Sequence, residues 1–370
     1  MPPEEGKING TQAILLLVIT IFATVILFLP GISVSYAGQD AWISLLLAAA
    51  AATVIALIAV KLSRRFPEKN LFEYLEIILG KIPGKMVGVL YLSWFLYIAA
   101  ALVREYGTFM IPIFFRQTPL VVLAAVGVAA TAYATYGGLE TLARANQLFF
   151  PVIMGSSVVL FGLALPQMDV VNLLPVLEAG PVSIIKGSLA PLSWLGEIFL
   201  ISVFLPYVNR PEQARRIALT SILIVTSIFE LSVLGVISIF GPSVTGSYLL
   251  AFLNGIRMIH IANFLERLEA LLMLIWILSA GVKLSIFYWA TALGSAQITG
   301  IKDYRPLIPP VGAAILALSI FNYTSVMDLL IFYATAWPFY ALTFELVIPL
   351  FLLAVAVIRK IGGKPPCPGR

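Results

Sequence analysis

The sequence predicts an all-α integral membrane protein with about ten transmembrane helices. Of its 370 residues, 61% are hydrophobic and 11% are charged, and the mean hydropathy is +1.02. Soluble domains carry about 25% charged residues, so this chain has too little charge to cover a water-exposed surface. The sequence also divides into separate apolar runs, and most of its basic residues lie in alternate connections between them.

Ten apolar runs are candidates for spanning helices, which need about 20 predominantly apolar residues. The predicted spans are 11–36, 41–63, 87–112, 118–136, 145–166, 187–206, 217–241, 265–291, 307–322 and 328–358. The ninth is short, and the tenth contains Pro338 and Pro349. The first run follows a segment with two acids and one lysine. That segment lacks the basic start of a cleaved signal peptide, so the first run is predicted to be a span.

The distribution of lysine and arginine predicts that both termini are cytoplasmic. With ten spans, 17 of the 23 basic residues fall on the side of the termini and 4 on the opposite side. Cytoplasmic loops carry such an excess. Residues 1–10 and 359–370 are therefore predicted to be cytoplasmic tails. The net charge of +5 reflects this orientation and is no evidence for binding to nucleic acid.

Residues 70–79 are predicted to form a short amphipathic helix at the cytoplasmic membrane surface. Its apolar side chains share one face: Leu71, Tyr74, Leu75 and Ile78. Gly80, Gly84 and Gly88 follow at four-residue spacing. This spacing indicates either a close helix crossing or a turn and helix start around Pro83.

The composition argues against enzymatic chemistry. The chain has one histidine, His260, and one cysteine, Cys367. An internal disulfide and a metal site with several Cys or His ligands are therefore excluded. The nucleotide-binding and metalloprotease motifs are absent. We expect no catalytic residues, no metal and no cofactor.

Helix-breaking residues occur in the first and sixth spans. Span one contains Pro30 and Gly31. Span six contains two glycines, a proline and a carboxylate: Gly187, Pro191, Gly196 and Glu197. Non-helical backbone at membrane depth is stable only where it lines a cavity or is buried in protein. The paired interruptions predict a substrate site between these spans, although a lone proline can also be a simple kink.

The two interrupted spans are the first members of two five-helix repeats. The first repeat is predicted to cover 11–166 and the second 187–358, with an extracytoplasmic connector at 167–186. Because each repeat has an odd number of spans, the two repeats have opposite orientations in the membrane. The sequence thus predicts a 5+5 inverted repeat.

Several ionisable residues lie within the spans and need an explanation, because each costs about 2.5–3.5 kcal/mol on insertion scales. Glu197, Glu230 and Glu345 lie near mid-depth, and Lys283 lies in the inner third of span eight. Glu197 adjoins the span-six glycine and is the leading candidate for a ligand contact, or a neutral carboxyl that bonds a neighbouring helix. Glu230 and Glu345 fit interhelical hydrogen bonds better. Lys283, one turn from Ser279, could substitute for a bound cation, or could extend its amine to the membrane surface.

Four stretches resemble the permease-like B subunits of spore germinant receptors, a branch of the amino acid–polyamine–organocation (APC) transporter superfamily. They are LFLPGISVSYAGQDAWIS (27–44), NLFEYLEIILGKIPGKMVGVLY (70–91), YGGLETLARANQLFFP (136–151) and LPYVNRPEQARR (205–216). The element with Gly138, Glu140 and Arg144 is the most specific of these. The resemblance covers nearly the whole chain and implies a LeuT-like fold in which helices one and six are broken.

The resemblance also implies an amino acid ligand held between spans one, three, six and eight. Carried over by position, the substrate-binding residues are Thr20, Ala23, Thr24, Tyr97, Ser193, Gly196, Glu197 and Ser279. Members of the superfamily usually have glycines in the span-one break. The matching positions here are Ala23 and Val25.

The function implied by the resemblance is that of a germinant receptor subunit in the spore inner membrane. It would bind the germinant at the membrane midplane and trigger germination together with an A subunit and a lipoprotein C subunit. Two alternatives share the fold, and fold alone does not separate them. One is a proton-coupled amino acid symporter, and the other is a channel-like subunit that passes water or ions.

Overall fold

The computed structural model describes residue 4 and residues 6–248, 250–258, 268–322 and 326–363. His260, Cys367 and the side chain of Thr24 lie outside the described part of the chain. Within these ranges the regular structure is helical, and β-like pairing is confined to an isolated bridge between Ile8 and Val208.

The first half of the chain contains long helices and one short surface helix. They are α1 Gly10–Ala37, α2 Ala41–Ser63, α3 Leu71–Leu79, α4 Lys81–Ile113, α5 Leu120–Tyr136 and α6 Gly138–Ala164. The short helix α3 confirms the predicted amphipathic segment. Asn70 and Glu73 form a capping box at its start, and its predicted apolar face is buried.

The second half contains more interrupted helices. They are α7 Gly180–Leu195, α8 Ile201–Phe204, α9 Ala214–Ser247, α10 Ala251–Arg257, α11 Leu268–Thr299, α12 Ile308–Phe321, α13 Val326–Thr335, α14 Trp337–Leu342 and α15 Ile348–Ile358. A 3-10 segment, Gly196–Leu200, joins α7 to α8. A π-helical segment, Thr343–Val347, joins α14 to α15.

Each of the ten predicted spans is mainly helical in its described residues. Seven helical stretches are long and apolar enough to cross a bilayer, and one of them combines parts of α1 and α2. Three shorter apolar stretches account for the remaining spans: Gly10–Ala23, Leu120–Tyr136 and Arg305–Phe321. The all-helical, multi-pass architecture is thus confirmed. Span seven is longer than predicted, because α9 continues through a kink at Gly241 and Pro242.

Span one differs from the prediction, because α1 is a continuous helix. It runs from Gly10 to Ala37 with Pro30 inside it. The physical reason is the local sequence: Ala23 and Val25 stand at the expected break, and neither has the backbone freedom with which a glycine leaves helical geometry. A proline can kink a helix without ending it. The expected interruption of span six is present, as the 3-10 segment that begins at Gly196.

The glycines after α3 serve both of the predicted purposes. Gly80, with φ of 93°, ends α3. At Gly84, a Cβ atom would lie 2.6 Å from the Glu76 Cα. The backbones of α3 and α4 therefore approach closely at this point, which only glycine permits.

Glu4 fixes the N-terminal segment to one end of the helical bundle. This residue is buried, with 8% of its surface exposed. Its carboxylate accepts hydrogen bonds from the Leu139 backbone N–H (3.1 Å), the Trp289 Nε1–H (3.0 Å) and the Tyr304 hydroxyl (3.2 Å). Burial raises the pKa of Tyr304, so its hydroxyl stays protonated and donates. One carboxylate thus connects the segment before α1 to α6, α11 and the loop after α11.

The glycine of the Gly-Leu-Glu element has a structural explanation in this contact. Gly138 has a φ of 80°, which L side chains rarely adopt. A Cβ atom on it would also lie 2.9 Å from the Glu4 Oε2. The absence of a side chain at Gly138 therefore makes room for the Glu4 carboxylate.

We expect Glu4→Gln to destabilise the fold. The amide group would direct a donor towards groups that already donate, at a cost of about 1–3 kcal/mol for charged hydrogen bonds. Thermal unfolding of the purified protein in detergent measures this. The control is Glu140→Gln, whose partly exposed carboxylate pairs with the exposed Arg144 and should cost less than about 1 kcal/mol. Equal destabilisation by both variants would contradict the role of Glu4.

Candidate functional site

A buried ion pair joins span six to span eight. The Lys283 Nζ lies 2.7 Å from the Glu197 Oε1, and each side chain is 1% exposed. Glu197 belongs to the 3-10 segment Gly196–Leu200, and Lys283 lies midway along α11. Burying two charges is costly unless they are paired and hydrogen-bonded. The structure thus pairs Glu197, the predicted ligand residue, with Lys283, the predicted substitute for a bound cation.

The ion pair lines a small cavity, which we call the central cavity. Its walls come from α4, α7, α11, α13 and α14 and consist of Ile98, Ala101, Leu102, Trp194, Glu197, Lys283, Tyr333 and Trp337. The space for water centres is about 10 Å³, which is the room that about one water molecule needs. In this conformation the central cavity is closed and has no room for an amino acid.

Two further carboxyl groups lie buried near the ion pair. Glu105 of α4 accepts a hydrogen bond from the Tyr333 hydroxyl and is fully buried. Glu345 lies in the π-helical segment and is also fully buried. Neither of its carboxyl oxygens has a hydrogen-bond partner among the described residues. Three carboxyl groups therefore surround one described ammonium group, that of Lys283.

The π-helical segment that carries Glu345 is held against α4. The Tyr91 hydroxyl donates to the Phe344 carbonyl over 2.8 Å. The rings of Trp94 and Phe344 stack with a centroid distance of 5.2 Å and an angle of 4°. π-Helical turns are rare and occur frequently at functional sites. Here the π-helical turn places Glu345 against Gly196, the residue before Glu197.

Gly196 allows the close approach of Glu345 to span six. A Cβ atom at this position would lie 2.8 Å from the Glu345 carboxyl carbon and 3.4 Å from the Ile55 Cδ1. The backbone of Gly196 is ordinary right-handed helix, with φ of −64°. The glycine is therefore needed here for space and not for backbone conformation.

Four of the sequence-predicted site residues are fully buried in α1, α7 and α11. Thr20, Ala23, Ser193 and Ser279 are each 0% exposed. The three hydroxyl groups donate to backbone carbonyls three or four residues earlier in their own helices. They are thus satisfied internally in this conformation, and none of these four residues lines the central cavity. The side chain of Thr24 lies outside the described residues.

Tyr97 and Glu230 lie away from the central cavity. Tyr97 is half-buried and packs its ring against Phe332, Trp337 and Tyr340. The next residues of α4, beginning at Ile98, line the cavity instead. Glu230 is half-buried on α9 and is not among the cavity-lining residues. Neither residue lines the central cavity, although Tyr97 packs against Trp337, which does.

Four residues around the cavity were not among the predicted site residues: Glu105, Trp194, Tyr333 and Trp337. Glu105 carried a usable signal, because it is a carboxyl group inside a predicted span. Trp194, Tyr333 and Trp337 carried none, since aromatic residues occur throughout the apolar runs. Among the described residues, no group of three or more His, Cys, Asp or Glu side chains has the geometry of a metal site.

A family model for spore germination proteins, the spore permease model, matches residues 7–327. The chain belongs to this family. Spore germination protein KB of Bacillus subtilis (strain 168) is 28% identical over 362 residues, and the match covers 96% of each chain. Spore germination protein YndE of the same organism is 27% identical over 300 residues, covering 79% of this chain and 81% of the relative.

Solved structures show the fold of this spore germination protein. A nucleobase-cation-symport-1 family transporter in a closed conformation, with bromovinylhydantoin bound, gives a TM-score of 0.71 at 11% identity, covering 97% of this chain and 81% of that chain. A Na⁺-coupled sialic acid symporter in its substrate-bound outward-open state gives a TM-score of 0.67 at 12% identity, and the match covers 95% of this chain and 78% of that chain. The predicted LeuT-like fold is confirmed.

We expect Gly196→Ala to destabilise the germination protein, because the added methyl group would overlap the Glu345 carboxyl group. Overpacking of this kind costs about 1–3 kcal/mol. The matched control is Gly281→Ala in α11, where a Cβ atom would meet nothing within 4 Å and alanine favours the helix. Thermal unfolding in detergent measures both. A Gly196→Ala protein as stable as the control would contradict the close contact.

We expect the ion pair to show strong coupling in a double-mutant cycle. Either Glu197→Gln or Lys283→Met leaves a buried charge without this partner and should cost about 3–5 kcal/mol. The double variant should cost clearly less than the sum of the two single variants. Unfolding free energies of the four proteins give the coupling. Additive losses would show that the two side chains do not interact.

Proposed function

We propose that this chain is the ligand-binding membrane subunit of a spore germinant receptor and that its ligand is an amino acid. The observation that supports this most is the buried Glu197–Lys283 pair, which lines a closed cavity where span six changes from α-helix to the 3-10 segment Gly196–Leu200. Membership of the spore germination family supplies the physiological setting. Ligand binding itself is the proposed step.

An amino acid matches the ion pair because it carries one charge of each sign. In the closed conformation the Lys283 ammonium and the Glu197 carboxylate neutralise each other over 2.7 Å. A zwitterion entering between them would offer its carboxylate to Lys283 and its ammonium to Glu197. Every buried charge would keep an opposite partner throughout this exchange, which avoids the cost of an unpaired charge in a medium of low dielectric constant.

The ligand carboxylate would thus be held by a side chain rather than by backbone amides. The sequence led us to expect breaks in both spans one and six, and a helix break leaves backbone amide groups free to bind an anion. Because α1 is continuous from Gly10 to Ala37, its amides are occupied by the helix, and span one offers no such site. Lys283 would take the role that a helix N-terminus has elsewhere.

The closed cavity links binding to a conformational change. About one water molecule fits between Glu197 and Trp337 in this state, so an amino acid requires the cavity walls to move apart. A ligand shifts such an equilibrium only through its different affinities for the two states. Amino acids with small side chains would need the smallest opening between Trp194 and Trp337 and are the preferred ligands.

The signal would be read by the other receptor subunits. We propose assembly with an A subunit and a lipoprotein C subunit in the spore inner membrane, with both termini of this chain in the cytoplasm. Opening of the central cavity would move the wall helices α7 and α11 against their neighbours. The binding surface for those subunits would then change with ligand occupancy.

A proton-coupled amino acid symporter is the second candidate function. The likeness to solved symporters favours it, because the same fold that closes around a substrate can also release it on the other side. A channel-like subunit that passes water or ions is the third candidate. These functions differ in whether an amino acid accumulates across a membrane, and that difference is measurable.

We expect saturable binding of labelled L-alanine to the purified protein without accumulation in proteoliposomes under a proton gradient. The reason is that the ligand would stabilise one conformation of a receptor, whereas net uptake requires the protein to cycle between conformations open to either side of the membrane. Equilibrium binding in detergent and uptake into vesicles measure the two quantities. Gradient-driven accumulation would identify a symporter. If the isolated chain does not bind, the same assay with the A and C subunits present decides whether the site needs them.

We expect Glu197→Gln to weaken amino acid binding by about tenfold or more, since hydrogen bonds to charged groups contribute about 1.5–3 kcal/mol. Gly196→Val should abolish binding, because its side chain would occupy the space of the Glu345 carboxyl group. The control is Glu230→Gln on α9, outside the cavity, which should leave the affinity unchanged. If Glu197→Gln binds like the wild type, Glu197 does not contact the ligand.

A further inference from the structure

A large surface cavity lies away from the central cavity, where α2 ends and α9 begins. Its volume is about 610 Å³, enough for a group much larger than a water molecule. Four of its lining residues are basic: Lys61, Arg64, Arg65 and Arg215. One acidic residue, Glu212, also lines it. We call this the basic cavity, and its charges place it on the predicted cytoplasmic face.

The cations of the basic cavity are largely without partners inside the protein. In the described part of the chain, Lys61, Arg64 and Arg215 form neither a hydrogen bond nor an ion pair through their side chains, and all three are exposed. Arg65 makes a single hydrogen bond of 3.3 Å, from its Nε to the Ile361 carbonyl. The donors of Lys61, Arg64 and Arg215 thus line one space without a hydrogen-bonded acceptor among the described residues.

The position of Arg215 adds to this argument. It is the second residue of α9, where the helix dipole has its positive end and disfavours a cation. Fold stability therefore gives no reason for a positive charge at this place. An anion bound in the cavity would interact favourably with both the helix end and the guanidinium group.

An apolar stripe on α2 leads directly into the basic cavity. The exposed residues of this helix alternate at spacings of three and four, which places them on one face. The series runs through Leu47, Ala50, Val54 and Leu57 to Lys61 and Arg64, and the exposed Leu46 lies four residues before Ala50 on the same side of the helix. The stripe is apolar along the membrane and becomes cationic at the end of α2. A ligand that fits it has an anionic head and a hydrocarbon tail.

We propose that the basic cavity binds the head group of an anionic phospholipid, whose acyl chain lies along the exposed stripe of α2. Arg64 and Arg215 would hold the phosphate, for which the planar guanidinium group is well suited. Leu57 and Val54 would contact the first part of the acyl chain. Basic pockets between helices at the cytoplasmic side of membrane proteins commonly bind such head groups.

Residues 364–370 of this chain are an alternative occupant, because Gly363 lines the cavity. This segment carries Lys364 and Arg370 and no acidic side chain. Its charge therefore matches that of the cavity instead of complementing it. The apolar stripe also argues for a lipid, because neither a free phosphate ion nor an acidic protein segment would use a hydrocarbon surface that faces the membrane.

The test measures lipid binding to the full-length protein in neutral detergent by native mass spectrometry, with phosphatidylglycerol and with phosphatidylcholine. We expect phosphatidylglycerol to bind at least tenfold more tightly. Each exposed cation near a membrane surface accounts for about a fivefold change in affinity. The triple variant Lys61→Gln/Arg64→Gln/Arg215→Gln should therefore reduce phosphatidylglycerol binding by about 100-fold. All three side chains are exposed, so folding is retained.

The control carries the same change of net charge outside the cavity: Lys81→Gln/Arg144→Gln/Lys302→Gln. It should keep most of the affinity, and an equal loss would show diffuse attraction without a site. Equal binding of the two lipids would overturn the proposal.

A second variant, Val54→Ser/Leu57→Ser, tests the apolar part. It should weaken binding of the lipid while leaving its preference for an anionic head group. Competition by inorganic phosphate at similar concentration, or unchanged affinity of this variant, would show that the cavity takes a phosphate group alone. Tighter lipid binding after deletion of residues 364–370 would show that this segment occupies the cavity.

Discussion

The structure depends on one constraint: a charge buried among membrane helices must have an opposite charge beside it. Glu197 and Lys283 satisfy this constraint together, with 2.7 Å between their charged groups. The pair fixes the relative positions of spans six and eight at their midpoints. It also places two charged groups at the centre of the protein. In the proposed function, their contact with each other is exchanged for contacts with a charged ligand.

Other parts of the fold keep this pair in place. The 3-10 segment turns Glu197 towards α11, and the π-helical segment of span ten brings Glu345 against Gly196. At one end of the bundle, the Glu4 carboxylate connects α6, α11 and the segment before α1. This contact gives the Gly-Leu-Glu element a physical meaning, since Gly138 provides the space that Glu4 occupies.

Much of the fold could be predicted from the sequence, because hydropathy and charge distribution act over whole helices. The ten spans, the surface helix α3 and the special position of Gly196 all came from such patterns. The continuity of α1 could not be read from Pro30, since a proline bends a helix more often than it ends one. The 5+5 boundaries and the ligand residues stay predictions.

The partners of the buried charges also escaped prediction. That Lys283 meets Glu197 rather than the membrane surface depends on how two helices rotate, which a single sequence does not specify. Glu105 and Tyr333 meet for the same reason. Tyr97 was expected at the site, but a rotation of about 100° per residue along α4 puts Ile98 at the cavity and Tyr97 against span ten.

The most direct test of the account is the affinity of the wild-type protein for analogues that lack one charge. Binding of L-alanine, L-alanine methyl ester and N-acetyl-L-alanine would be compared by equilibrium titration. If a zwitterion replaces both partners of the Glu197–Lys283 pair, each analogue leaves one buried charge unpaired, and both should bind at least about 100-fold more weakly. An analogue that binds as tightly as L-alanine would show that the pair is not exchanged for the ligand.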